Sequence, residues 1–84
     1  MMKLDVEAKK IRAEKAQLLA DKCKNERDIY YLDVSSLQLE GYETPTAIPW
    51  GDDHGLIGIC IEHPYEWDGQ MYTYNEHIEC SFTF

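Results

Sequence analysis

Two short motifs near the end of the chain combine cysteine with histidine, a pairing that can bind a metal ion. Cys60 and His63 are three positions apart, and the same spacing recurs in reverse order at His77 and Cys80, after a spacer of 13 residues. Thiolate and imidazole groups at such spacings are the ligands of tetrahedral zinc sites. The surrounding pattern, however, is that of strands, in which side chains three positions apart point to opposite faces. We therefore predict that no metal or other cofactor is bound, and a small zinc-binding domain is the alternative.

His63 and Glu76 form a second candidate, because a carboxylate beside an imidazole can hold it in one tautomer for acid–base chemistry. The sequence offers no nucleophile, glycine-rich phosphate loop or oxyanion feature to accompany this pair. We predict that the two side chains join neighbouring strands and that the protein is not an enzyme.

A third candidate is the segment 51–55, in which Asp52, Asp53 and His54 stand between two glycines. Oxygen ligands in a flexible loop can hold a divalent cation. A calcium loop would repeat acidic residues at alternate positions, and this segment does not. It is therefore predicted to be a solvated turn.

Aromatic residues are the last chemical feature of the sequence. Tyrosine and tryptophan supply much of the binding energy at protein interfaces, and they also line sugar-binding platforms and hydrophobic cores. The set consists of Trp50, Tyr65, Trp67, Tyr72 and Tyr74. We expect most of the hairpin aromatics to form a core beneath a helix, and only Trp50 and one or two of the tip residues Tyr65, Trp67 and Tyr72 to be exposed.

Charge is distributed unevenly along the chain, whose net charge is -8 and whose pI is about 4.6. All 8 lysines and arginines lie in the first 27 positions, together with 5 acidic residues, whereas residues 28–84 contain 11 acidic residues and no lysine or arginine. This acidity argues against direct binding to nucleic acid, which requires clustered basic residues. The negative field of the second part favours association with a basic protein surface.

The length of 84 residues corresponds to a single domain. No apolar run approaches the length of a membrane span, and the charged first residues do not resemble a signal peptide. Three cysteines without a secretion signal indicate reduced thiols, so a cytoplasmic location is predicted.

The elements that position these residues follow from hydrophobic spacing. Residues 5–25 are rich in helix formers and are predicted to be a helix, whose apolar stripe Leu4-Ile11-Leu18 also allows a homodimer as an alternative. Residues 28–40 alternate in the manner of a strand, with a break at Ser35-Ser36. Residues 41–55 are predicted to be a loop containing a short edge strand at 47–50, and residues 56–84 a β-hairpin.

Two hairpin registers satisfy the alternation of residues 56–84. A type I′ turn at Asp68-Gly69 would place Ile61 opposite Glu76, whereas a type II′ turn at Gly69-Gln70 would place His63 opposite Glu76. We favour the second register because it places the two polar residues of this face, His63 and Glu76, opposite each other.

Together these patterns predict an α+β fold, with an N-terminal helix packed on a sheet of three or four antiparallel strands and a β-hairpin at the C-terminus. The predicted function is that of a non-enzymatic acidic protein-binding module. The composition is typical of inhibitor, immunity-type or phage accessory proteins that block a basic, nucleic-acid-binding site on a larger protein. No membrane contact is expected. The residues predicted to contact the partner are Trp50, Asp52, Asp53, Glu62, Glu66, Asp68 and Glu79.

Overall fold

A computed structural model describes residues 6–84 of the chain. Three antiparallel strands form one sheet in the order β1-β2-β3, and a helix packs on one side of it, which confirms the predicted α+β fold. Among the described residues, no helix is long and apolar enough to cross a membrane. The elements are α1 (Val6–Ala20), two 3₁₀ helices (Glu26–Tyr31 and Ser35–Leu37), β1 (Thr46–Asp52), β2 (Gly55–Trp67) and β3 (Gln70–Glu79).

Helix α1 is shorter than predicted, and its fully buried side chains are small, with the partly buried Leu19 packed beside them. Its buried residues are Ala16 and Ala20, and Cys23 follows on the same side. The predicted stripe points elsewhere, because Ile11 is 45% exposed and Leu18 is 65% exposed. Small residues at Ala16 and Ala20 allow the helix backbone to approach the core closely, and of the larger apolar side chains in this helix Leu19 packs against the core cluster. Leu4 lies outside the described residues.

The prediction of a strand at residues 28–40 is wrong, because this segment contains the two 3₁₀ helices. Asn25 caps the first of them by accepting a hydrogen bond from the backbone N–H of Asp28. Asp33 accepts from the N–H of Ser35 at 3.1 Å, where the second begins. Such local side-chain bonds offer the backbone an alternative to a β ladder. Ile29, in the first of these helices, and Leu37, in the second, have buried side chains.

Strand β1 includes the predicted short edge strand and extends it to Thr46–Asp52, within the segment that was predicted to be mostly loop. It pairs with β2 so that Ala47 lies opposite Ile61, and the register shifts after Trp50.

The predicted register of the hairpin is wrong, and the alternative with a turn at Asp68-Gly69 is observed. Both turn residues have positive φ, 51° and 76°, as a type I′ turn requires. Ile61 therefore lies opposite Glu76, while His63 reaches the same carboxylate diagonally, with 3.0 Å between His63 Nε2 and Glu76 Oε1. Glu76 is tolerated opposite an isoleucine because Arg12 from α1 pairs with it, a contact that strand alternation does not reveal.

The core lies between the inner face of the sheet and the helical elements. Residues at odd positions of β2, such as Ile59 and Ile61, point into it, and α1 and both 3₁₀ helices contribute buried residues to the same cluster. Side chains at even positions of β2 consequently point to the other side of the sheet, which we call the open face. By register, the open face carries Thr46, Ile48, Trp50, Cys60, Glu62, Pro64, Glu66, Met71, Thr73, Asn75, His77 and Glu79.

Candidate functional site

The open face brings together four of the seven residues predicted to contact a partner. Trp50 and Glu79 both pair with Gly58, from opposite sides, and therefore lie in one row across the sheet. Glu62 and Glu66 follow along the central strand on the same face. Three carboxylates and one indole ring thus share a surface on which no helix of residues 6–84 packs.

Trp50 is held in place by its neighbours. Its ring meets that of His77 edge-on, with 4.9 Å between the ring centroids. Gly58 lies beside Trp50 in the sheet, and a Cβ at this position would collide with the backbone of Ile78 and Glu79 in β3. The absence of a side chain there allows β2 and β3 to approach each other closely at this point. Trp50 is half-buried and can act as a preorganised anchor.

The other three predicted contact residues flank the open face at its two ends. Asp52 and Asp53 are exposed at the turn between β1 and β2, where Asp52 Oδ1 accepts the N–H of His54 at 2.8 Å. Asp68 is exposed at the tip of the hairpin. The 13 residues of β2 separate the two ends, about 40 Å at 3.3 Å per residue. The seven residues therefore form one elongated surface rather than a compact pocket.

The electrostatics of this surface are one-sided. No lysine or arginine occurs in residues 28–84, so the strands carry no positive charge beyond what their histidines can supply. Within residues 6–84, the one hydrogen bond to the Glu62 carboxylate is a long one from the hydroxyl of Thr46, at 3.5 Å. The strands themselves therefore provide no lysine or arginine that could pair with the carboxylates of the open face.

The inner face contains a buried polar network that the sequence analysis found only in part. Arg12 donates from Nε and Nη2 to the two carboxylate oxygens of Glu76, at 2.8 and 2.6 Å, and also to the carbonyl oxygen of Leu37. Burial alone raises the pKa of Glu76, but the hydrogen bonds from Arg12 and His63 outweigh it and hold the pKa below its usual value of 4.5. The carboxylate is thus ionised at neutral pH and joins the helix to two strands.

His63 completes this network on the other side. Its side chain is fully buried, and Nδ1 has no hydrogen-bond partner within residues 6–84. The ring lies 5.8 Å from those of Tyr42 and Tyr74. The predicted contact between His63 and Glu76 is present, although diagonal rather than directly across the strands, and the role of Arg12 was missed. A signal existed, since Arg12, Ala16 and Ala20 are spaced by four and therefore share one face of the helix.

The hairpin aromatics lie on the inner face but extend past the helical layer. Tyr42, from the loop before β1, packs edge-on against Tyr65 at 5.5 Å, and Tyr65 stacks on Tyr72 at 5.6 Å. Tyr72 is nevertheless exposed, as are Tyr74 and Trp67. The prediction that one or two of the tip residues Tyr65, Trp67 and Tyr72 are exposed is thus confirmed, whereas Tyr74 is exposed against expectation and Trp50, predicted to be exposed, is half-buried.

The cysteine–histidine motifs do not converge. Cys60 and His77 are directly opposite on the open face, whereas His63 and Cys80 point to the inner face. Within residues 6–84, no three metal-ligating side chains of His, Cys, Asp or Glu cluster as a metal site would require. Burial raises the pKa of Cys80 to about 11, so its thiol is protonated at neutral pH.

Comparison with known proteins adds no relative: no family model, curated protein or solved structure matches the chain. Any function must therefore be argued from the residues and their arrangement.

Proposed function

We propose that this protein is a non-enzymatic binding module whose open face contacts a basic surface on a larger protein. The observation that carries the proposal is the placement of Trp50 with Glu62, Glu66 and Glu79 on one face that the helical layer leaves uncovered. Charged residues at a rim accelerate encounter with an oppositely charged partner, and an aromatic anchor supplies affinity once the surfaces meet.

The charge layout supports a partner that normally binds phosphate groups. A groove built for nucleic acid concentrates lysine and arginine, and an elongated surface with carboxylates along its length complements such a groove. In this proposal the protein acts as an inhibitor or immunity-type protein, similar in role to small phage accessory proteins, and works in the cytoplasm. It binds the partner protein and not the nucleic acid.

The Arg12–Glu76–His63 network has a structural role in this account. Arg12 belongs to the helix, and both of its partners belong to the sheet. The network therefore fixes how the helix lies against the inner face and leaves the acidic open face turned to solvent.

Affinity capture tests the proposal. The tagged chain is incubated with native lysate at low and at high salt, and the retained proteins are identified by mass spectrometry. We expect a basic protein that is retained at low salt and released at high salt. A variant in which all six acidic contact residues are replaced by lysine should lose it while its circular dichroism stays unchanged. Capture of the same protein by this variant would refute the proposal.

A further inference from the structure

The outer edge of β3 is unpaired within residues 6–84, because the sheet order is β1-β2-β3. The two-residue turn after Trp67 makes Trp67 and Gln70 a pair whose backbone groups bond to each other. Further along β3, residues whose backbone N–H and C=O point toward β2 alternate with residues whose groups point away from it. The bond from Cys80 N–H to Ile57 O at 3.1 Å fits this alternation. The backbone groups of Asn75, His77 and Glu79 consequently point outward, away from β2.

A groove of about 370 Å³ follows this edge. It is bordered by Lys9 and Ala13 of α1 on one side and by residues 74–79 of β3 on the other. Ala13 has a short side chain and is exposed, so there is room between the helix and the strand edge for an extended backbone.

Gln17 shows that this edge has the conformation needed for strand pairing. Its side-chain amide donates to Ser81 O and accepts from Ser81 N–H, both at 2.8 Å. A neighbouring strand would make the same two bonds with Ser81. Gln17 therefore occupies the backbone groups of Ser81, at the end of this edge. The outward-pointing backbone groups of residues 75, 77 and 79 remain for another chain.

The opposite edge of the sheet is protected. Pro49 lies in the middle of β1 and has no N–H to donate. The first 3₁₀ helix also packs against this strand. Strand addition is consequently directed to β3.

We propose that an extended segment of the basic partner adds to β3 as a fourth, edge strand and occupies this groove. This inference rests on the proposed function and specifies how the partner is held. Backbone bonds would supply affinity, and alternating side chains would supply specificity. Side chains on one side of the added strand would continue the open face beside Glu79, where lysine or arginine fits. Those on the other side would face Ala13, where small side chains fit.

Charge selects this occupant over a second copy of the chain. Each copy carries a net charge of -8, so two β3 edges would approach against repulsion. A basic segment is attracted to the chain by the same net charge, and at this edge Glu79 attracts it, although Lys9 on the helix side of the groove repels a basic side chain placed next to it.

Selection from a displayed library of random 12-residue peptides, with the full chain as bait at low salt, tests the inference. We expect enriched peptides with basic residues at alternate positions. Ala13→Trp fills the groove from an exposed helix position and should weaken their binding at least tenfold. Leu18→Trp, at another exposed position of the same helix, is the matched control and should leave binding unchanged.

Amide hydrogen exchange of the unaltered chain locates the peptide independently of any variant. Binding should slow exchange at Asn75, His77 and Glu79 at least tenfold. Absence of this protection, equal affinity for Ala13→Trp, or a selection without enriched peptides would overturn the inference. If basic peptides bind but lose affinity only when Glu62 and Glu66 are replaced by lysine, the proposed function stands and strand addition is refuted. If no basic peptide binds and lysate capture also yields no basic protein, both strand addition and the proposed function are refuted.

Discussion

Arg12 should be among the residues most important for stability, although it is a charged residue on a largely exposed helix. The side chains of Arg12 and Glu76 are each only 11% exposed. Replacing Arg12 by Met keeps the aliphatic length but leaves the Glu76 carboxylate with His63 as its one remaining partner in this network. It also removes the donor to Leu37 O. Breaking one side of a buried pair costs about 3–5 kcal/mol.

That cost is large relative to the whole domain. A chain of 84 residues is expected to have a free energy of unfolding of about 4–13 kcal/mol. Arg12→Met should therefore lower the unfolding temperature by at least about 12 °C, since 1 kcal/mol corresponds to about 4–8 °C in a domain of this size.

Urea denaturation followed by circular dichroism measures the effect. Lys15→Met, at an exposed position of the same helix, is the control and should change the free energy of unfolding by less than about 0.5 kcal/mol. The double variant Arg12→Met/Glu76→Met removes both charges and should recover much of the loss, because an apolar pair needs no counter-ion. A loss below about 1 kcal/mol for Arg12→Met, or strictly additive single effects, would refute the buried-pair reasoning.

Three further predictions concern the same framework. The folded-state pKa of Glu76 lies below its usual 4.5, so the stability that its carboxylate contributes is present above pH 4.5 and is lost as the pH falls through the folded-state pKa. In urea titrations from pH 7 to 3, the free energy of unfolding should fall less steeply for Glu76→Gln than for the unaltered chain. Parallel pH dependence of the two proteins would contradict this. Gly58→Ala places a Cβ against the β3 backbone and should destabilise the protein by more than about 2 kcal/mol. Gly41→Ala, which has open space around the new Cβ but a φ of 88°, should cost about 1 kcal/mol. Similar losses of unfolding free energy in urea for the two variants would disprove the steric argument. Asp68→Val puts a β-branched residue at a φ of 51° and should cost about 1–3 kcal/mol; an unchanged urea midpoint would show that the turn is not constrained as described.

The sequence predicted the general fold largely because the alternating pattern of its last 29 residues, 56–84, is strong. Residues 56–84 alternate so regularly that the faces of the hairpin could be assigned even with the wrong register. The two registers differ by two residues, so each position faces the same side of the sheet in both. Either register therefore places Glu62 and Glu79 on the same face.

Other parts of the fold depended on contacts that local patterns do not contain. Residues 28–40 alternate like a strand, yet Asn25 and Asp33 make local hydrogen bonds that favour 3₁₀ turns. The register depended on Arg12, which stabilises Glu76 opposite Ile61 from a distant helix. Trp50 joins the acidic face only through the pairing of β1 with β2.

The central claim is that the open face binds a basic partner, and a comparison of two charge-matched variants tests it most directly. Glu62, Glu66 and Glu79 are replaced by lysine in one, and three exposed glutamates outside this face, Glu7, Glu14 and Glu40, in the other. Both variants change the net charge equally, and capture from lysate at low salt is quantified against the unaltered chain. We predict at least a tenfold loss for the open-face variant and less than a twofold loss for the other. Equal losses, or no loss in either, would contradict the claim.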